Sequence, residues 1–258
     1  MKQNKVILVS IDGMRADAFA ACGHPLVEYL CKNASYTLDG RSVIPPVTLP
    51  AHLSIFYSVP PQRHGTLNNT YVSPVRPFDG LIETIKHAGK TSAAFFTWEP
   101  LRDITRPDML TYSEFAFAYS MESADTYLTD RAMTCLRERK PDFLFLHLVE
   151  TDEKGGHDHG WMSGEYFDRI KIALDNLERI IREFGDEYAI ILTADHGGHD
   201  RIHGMDIPED MVIPMCFLGD AFEGGKTLDG VSLLDLAPTI ATIMGLSAVR
   251  EWEGKSLI

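Results

Sequence analysis

The chain has 258 residues, of which 45% are hydrophobic and 24% charged, and its formal net charge is −13. That length is enough to bury a substantial core in one domain over 1–258. The acidic balance argues against a nucleic-acid polymer as partner, because phosphate backbones are held mainly by clustered Lys and Arg.

In chain order, the first signal is the short apolar run Val6–Ile11, which ends at Asp12-Gly13. It is too brief to span a bilayer, and no small-residue cleavage pattern follows it, so a cytoplasmic protein without a membrane partner is expected. Pro45–Ser58 then reads as the entry to a helix, with Pro50 in the first turn, where proline is tolerated. Phe78–Ala88 has helical spacing, and Thr91–Phe96 is a second apolar run. The aromatic-rich stretch 98–119 lacks clear periodicity and suggests a small cap-like excursion beside a site. Ala124–Arg139 is a further helix, and Phe143–Val149 a third apolar run. Glu165–Phe184 is the longest helical pattern: Ile170, Ala173, Leu174, Leu177 and Ile181 fall on one stripe, and Gly185 is a stop. Ala189–Ala194 is the fourth apolar run, and a last helix starts near Leu236 and ends at Gly245. Continuous apolar runs suit parallel strands covered on both faces. Their alternation with helices predicts an α/β fold with a mainly parallel central sheet flanked by helices. Cys22, Cys31, Cys135 and Cys216 form no CxxC pair, which fits reduced thiols.

In open α/β sheets ligands bind beyond the carboxyl ends of the strands, and the unusual residues follow those ends. Asp12-Gly13 follows the first run. Thr151-Asp152 and Gly155-Gly156-His157-Asp158-His159 follow the third. Asp195-His196-Gly197-Gly198-His199 follows the fourth, with His203 close behind. Three converging carboxylates repel one another unless cations lie between them. Imidazoles beside them point to divalent metals with mixed nitrogen and oxygen ligands, zinc being the natural choice and manganese or iron further options. Thr48 sits at a helix N-terminus, which favours an anion. Its hydroxyl becomes a competent nucleophile when a metal lowers its pKa. The polar loop RHGTLNNTY follows, with Asn68 or Asn69 placed to donate to a phosphoryl oxygen. Taken singly, Asp12 reads as a turn residue, Thr48 as a helix cap and Asn68-Asn69 as turn chemistry. Taken jointly and in order, they read as a site.

The ordered set IDG, TLPAH, HGTLNN, DEKGGH, ADHGG and IHG, with SLLDLAPTIATIMGL near the end, resembles the alkaline phosphatase superfamily and most of all its type I phosphodiesterase/nucleotide pyrophosphatase branch. The resemblance covers nearly the whole chain and implies a three-layer sandwich. It implies one metal at Asp12, Thr48, Asp195 and His196, and a second at Asp152, His157 and His203. Thr48 would be the nucleophile, Asn69 the phosphate contact, and the substrate a small phosphate ester or phosphoanhydride. The middle loop departs from the family's D-x-x-G-H by one residue. Glu153 has the usual spacing to His157, whereas Asp152 lies nearer the strand end that fixes its direction. Asp152 is the preferred ligand, and His159 is a further candidate. A phosphomonoesterase, phosphonate hydrolase or phosphomutase on the same core is the alternative activity, and a catalytically dead metal-binding homologue the non-enzymatic one. Thr48-Leu49-Pro50-Ala51-His52 departs from the Cys/Ser-x-Pro-x-Arg pattern of sulfatases.

Overall fold

The structure is a computed structural model that describes residues 3–258. All four apolar runs become strands: β1 (Val6–Ile11), β3 (Ser92–Phe96), β5 (Phe143–Leu148) and β6 (Ala189–Thr193), with every residue buried. Burial on both faces is what an unbroken apolar run encodes. Three further strands complete the sheet: β2 (Ser35–Arg41), β4 (Tyr112–Phe115) and β7 (Val212–Leu218).

Among the described residues the sheet has seven strands in the order β2-β7-β6-β1-β5-β3-β4. Strands β6, β1, β5, β3 and β4 run parallel, while β7 is antiparallel to both neighbours. The result is a mixed sheet, mainly parallel and flanked by helices, as expected. The three unforeseen strands have physical reasons for their weak signals. At the edges, β2 mixes buried with less buried positions and β4 alternates between half-buried and exposed ones, so neither carries a continuous apolar run. Pro214 interrupts β7. It has no partner in either register and lies opposite the irregularity between Thr37 and Gly40 of β2, where its missing N–H costs no ladder bond.

The helices form close to where their spacing put them: Thr48–Tyr57, Leu81–His87, Ala124–Glu138, Gly164–Phe184 and Leu236–Ile243. Gly245, with φ +71°, ends the last of these in the left-handed conformation that glycine adopts without strain. The stretch 98–119 is less of an excursion than expected, because it contributes β4 to the sheet edge. What matters for function is the centre of the order. Strands β6, β1 and β5 are adjacent, so the segments that follow them emerge side by side.

Candidate metal centre

Asp12 follows β1 directly, Asp195 follows β6 and Asp152 follows β5, and all three are buried. Gly13 lets these segments close on one another. Its φ is +66°, and a methyl group there would stand 2.8 Å from Asp152 Oδ1. Its N–H donates to Asp195 Oδ1 at 3.1 Å. A side chain at position 13 would push apart two of the three acids.

The donors fall into two groups. In the first, His196 Nε2 lies 3.3 Å from Asp12 Oδ1, 3.4 Å from Asp195 Oδ2 and 3.2 Å from Thr48 Oγ1. In the second, Asp152 Oδ2 lies 3.4 Å from His157 Nε2, and Asp152 Oδ1 lies 3.9 Å from His203 Nε2. Each histidine commits its Nδ1 to a backbone carbonyl: Gly197 O at 2.8 Å, Arg201 O at 2.9 Å and Pro46 O at 3.0 Å for His196, His157 and His203. That pattern fixes the ring and turns Nε2 inward, as at metal-ligating histidines generally.

A direct test of fit is the state of the oxygens. Asp12 Oδ1, Asp152 Oδ1 and Asp195 Oδ2 are buried with no hydrogen-bond partner among the described residues. Buried polar atoms are rarely left so, and these three face the inward nitrogens. Within each group the candidate ligand atoms lie within 4.8 Å of one another. Burial, reinforced by the neighbouring acids, holds the Asp12 and Asp152 carboxyls well above their ordinary range. At Asp195 burial pushes the same way, but His196, His52 and His147 outweigh it, and the net shift is downward. Burial and His196 depress His203 to about 3. Acids that resist ionisation beside an imidazole that resists protonation call for positive charge other than protons. The residues fit two divalent cations.

The middle loop resolves its one-residue departure by changing helix type. Thr151–His157 is a π-helix, so residues five apart stack on one face. Asp152 and His157 are five apart and meet. Glu153 instead accepts a hydrogen bond from the Tyr119 hydroxyl, and His159 is exposed. The second group therefore takes Asp152 and includes neither Glu153 nor His159.

Thr48 opens the helix Thr48–Tyr57, with Val47 as its cap, and is itself 4% exposed. Asn69 Oδ1 accepts the Leu49 N–H at 3.0 Å, which leaves its amide free to donate beside Thr48. Asn68 serves the local turn, accepting the Thr70 N–H at 2.8 Å. His64 pins this loop to the helix Thr48–Tyr57. Its Nδ1 accepts the Thr66 N–H at 3.2 Å, and its Nε2 faces Ser54 Oγ at 3.2 Å and Pro50 O at 3.3 Å. A second ring proton would oppose the Thr66 N–H, and burial depresses the imidazole from 6.5 to about 4. Because the folded value lies below the unfolded one, stability from neutral His64 is complete above pH 6.5 and is lost as pH falls towards 4. Wild type should lose about 3 kcal/mol relative to His64→Gln between pH 7 and pH 4, read by denaturant unfolding.

Several contributors escaped the sequence reading. On β5, His147 Nε2 donates to Asp12 Oδ2 at 2.9 Å, and its residue pairs with Ser10 across the sheet. His52 Nδ1 donates to Thr48 O at 2.8 Å, and its Nε2 meets Ser10 Oγ at 3.0 Å. A histidine within the apolar run FLFLHL was the available signal. His147→Phe keeps the ring volume but drops the bond to Asp12, so cation affinity at the first group should fall about 10- to 100-fold in a competitive chelator titration. His199 touches no candidate ligand. Its Nδ1 pairs with Asp210 Oδ1 at 2.7 Å, while Asp210 Oδ2 accepts the Met205 N–H at 2.8 Å, tying down the loop between His196 and His203.

The sequence model of the type I phosphodiesterase / nucleotide pyrophosphatase family matches residues 6–209. Human ectonucleotide pyrophosphatase/phosphodiesterase family member 1 is 26% identical over 222 residues, covering 74% of this chain and 23% of that protein. The 2,3-bisphosphoglycerate-independent phosphoglycerate mutase of Clostridioides difficile (strain 630) is 32% identical over 137 residues, covering 51% of this chain and 26% of the mutase. The chain thus spans about a quarter of the length of these relatives. Among solved structures, murine ectonucleotide pyrophosphatase / phosphodiesterase 5, an inactive variant in complex with AMP, superposes with a TM-score of 0.81 at 17% identity, covering 96% of each chain. The phosphonate monoester hydrolase of Silicibacter pomeroyi gives a TM-score of 0.75 at 14% identity, covering 99% of this chain and 76% of that one. With the family model matched across β1 to the last of the candidate ligands, the chain belongs to the type I phosphodiesterase / nucleotide pyrophosphatase family.

Proposed function

We propose that the protein is a phosphoesterase that hydrolyses a small phosphodiester or phosphoanhydride through a covalent phosphothreonine intermediate at Thr48. One observation carries the reading: Thr48 Oγ1 lies 3.2 Å from His196 Nε2, which also faces two buried carboxylate oxygens, Asp12 Oδ1 and Asp195 Oδ2, that have no partner among the described residues. Asp12, Asp195 and His196, with Thr48, would hold one divalent cation, and Asp152, His157 and His203 the other. Two such ions, most simply zinc, with manganese or iron as further options, supply charge stabilisation at phosphorus and lower the pKa of a coordinated hydroxyl.

The rest is chemistry of the chain's own groups. Thr48 Oγ, its proton released to solvent, attacks phosphorus in line, forming the Oγ–P bond as the bond to the leaving oxygen breaks, and that oxygen departs as an anion that takes up a proton from solvent. Water then attacks the same phosphorus, breaks the Oγ–P bond and returns the proton to Thr48. The Asn69 amide and the N–H groups of the first helical turn stabilise charge on the non-bridging oxygens. His147 and His52 hold Asp12 and the Thr48 backbone so that neither has to reorganise during the reaction. The segment ending at Tyr119 borders the second group through Glu153 and walls the leaving-group side.

The test is metal content together with rates. Zinc-reconstituted protein should hold two ions per chain and cleave a chromogenic phosphodiester faster than the matching monoester. Preference for the monoester would favour a phosphatase or mutase on the same core, as the likeness to phosphoglycerate mutase allows. Two bound ions without hydrolysis of either substrate would make the chain a binding homologue and sink the reading.

A further inference from the structure

Trp161 stands where the loops carrying both ligand groups converge, and the hydrolytic steps leave it unused. It is buried, and its Nε1–H donates to Gly13 O at 2.9 Å, one residue beyond Asp12. It lies against bare backbone at two glycines. A methyl on Gly156 would stand 2.6 Å from the indole Cη2, and one on Gly198 would stand 2.2 Å from Cε2. Gly156 precedes His157, and Gly198 follows His196 by two positions. The ring centroids of His157 and His203 lie 5.2 Å and 6.0 Å from the indole.

Gly156 and Gly198 are absent from the left-handed region of backbone space, so their φ angles make no demand for glycine. The room taken by the indole makes that demand instead. A rigid bicycle is therefore wedged between the π-helix that carries His157 and the loop that joins His196 to His203, with its third contact on the turn after Asp12. The two ligand groups differ in how much they need such a wedge. Asp12, Asp195 and His196 are fully buried at or near strand ends. His157 and His203 are only partly buried and come from a short π-helix and a loop, so packing, together with their Nδ1 hydrogen bonds, fixes their separation from Asp152.

We propose that Trp161 is a positioning residue for the second cation: a spacer that sets His157 and His203 at ligating distance from Asp152 and from the first group. The proposal rests on the two-cation reading of the site. It also predicts that Trp161 reports occupancy, because two imidazoles at its edge change their surroundings when they bind an ion.

The test is a Zn²⁺ titration of the full chain against a competing chelator, with Trp161 fluorescence followed in a Trp98→Phe/Trp252→Phe background. In wild type, two ions should bind, and the second should change the fluorescence. Trp161→Ala should weaken the second ion at least about tenfold, the size usual for lost outer-shell support, and leave the first nearly unchanged. Trp161→Phe should fall between, since the Tyr166 hydroxyl also donates to Gly13 O at 2.8 Å and keeps that carbonyl satisfied. Gly198→Ala should mimic Trp161→Ala in the wild-type background and add little to it, because the added methyl then meets no indole. Trp252→Phe is the control: that indole donates to Asp79 O at 3.0 Å, touching none of the candidate ligands, and its loss should move neither affinity. Wild-type affinities in both Trp161→Phe and Gly198→Ala would overturn the proposal. So would equal weakening of both ions in parallel with a lowered melting temperature. Failure of wild type itself to bind two ions would instead overturn the reading beneath it.

Discussion

Thr48→Ala should lower kcat/KM for a phosphodiester by at least ~10³-fold while both cations still bind. Nucleophiles that form covalent intermediates carry losses of this order or greater when removed, since only the residual binding and electrostatic effects persist. The fold should tolerate the change. Thr48 Oγ1 makes its one side-chain hydrogen bond to His196 and caps no helical N–H, and the cap position is Val47. Alanine at the first helical position costs little, so unfolding should move by no more than about 1 kcal/mol. Thr48→Ser, which keeps the oxygen, should retain much of the activity. That contrast separates loss of the attacking atom from loss of packing.

Asp152→Asn should cost about 10²- to 10³-fold in kcat, the worth of several kcal/mol of charge stabilisation, and should release the second ion. Glu153→Gln should stay within a few-fold of wild type, because that carboxylate is engaged by the Tyr119 hydroxyl and belongs to neither ligand group. The metal-free proteins should show the opposite order of stability. Burial, with Asp195 and Glu153 nearby, already penalises the ionised Asp152 carboxylate, so neutralising it relieves the metal-free fold. Metal-free Asp152→Asn should therefore unfold at the same or higher denaturant concentration than metal-free wild type at pH 7. A stability loss without any loss of bound metal would remove Asp152 from the site.

The site was legible in the sequence to the extent that strand ends fix direction. Asp12 and Asp195 are held by β1 and β6, whose apolar runs are unambiguous, and adjacency in the sheet brings their carboxylates together. Thr48 was placed by helix entry; residue type left Asn68 and Asn69 alike, the family resemblance chose Asn69, and the fold gives the two different partners. The middle loop was ambiguous because spacing arguments assume α-helical or extended backbone. A π-helix changes which residues share a face, and nothing local in Thr151–His157 announces it. The roles of His147 and Trp161 could not be assigned from sequence for another reason. Their partners, Asp12 and Gly13, are more than a hundred residues away, and only the order β6-β1-β5 brings them near. The edge strands β2 and β4 were hidden by their mixed burial, and β7 by its proline.

The central claim is that phosphorus passes through Thr48. Each in-line displacement inverts phosphorus, so two in succession return the original configuration. The most direct measurement is the stereochemical course of hydrolysis of a chiral phosphorothioate diester in heavy-oxygen water by the zinc-loaded protein. Net retention is the predicted result. Net inversion would mean that water attacks directly, and would leave Thr48 without the role assigned to it.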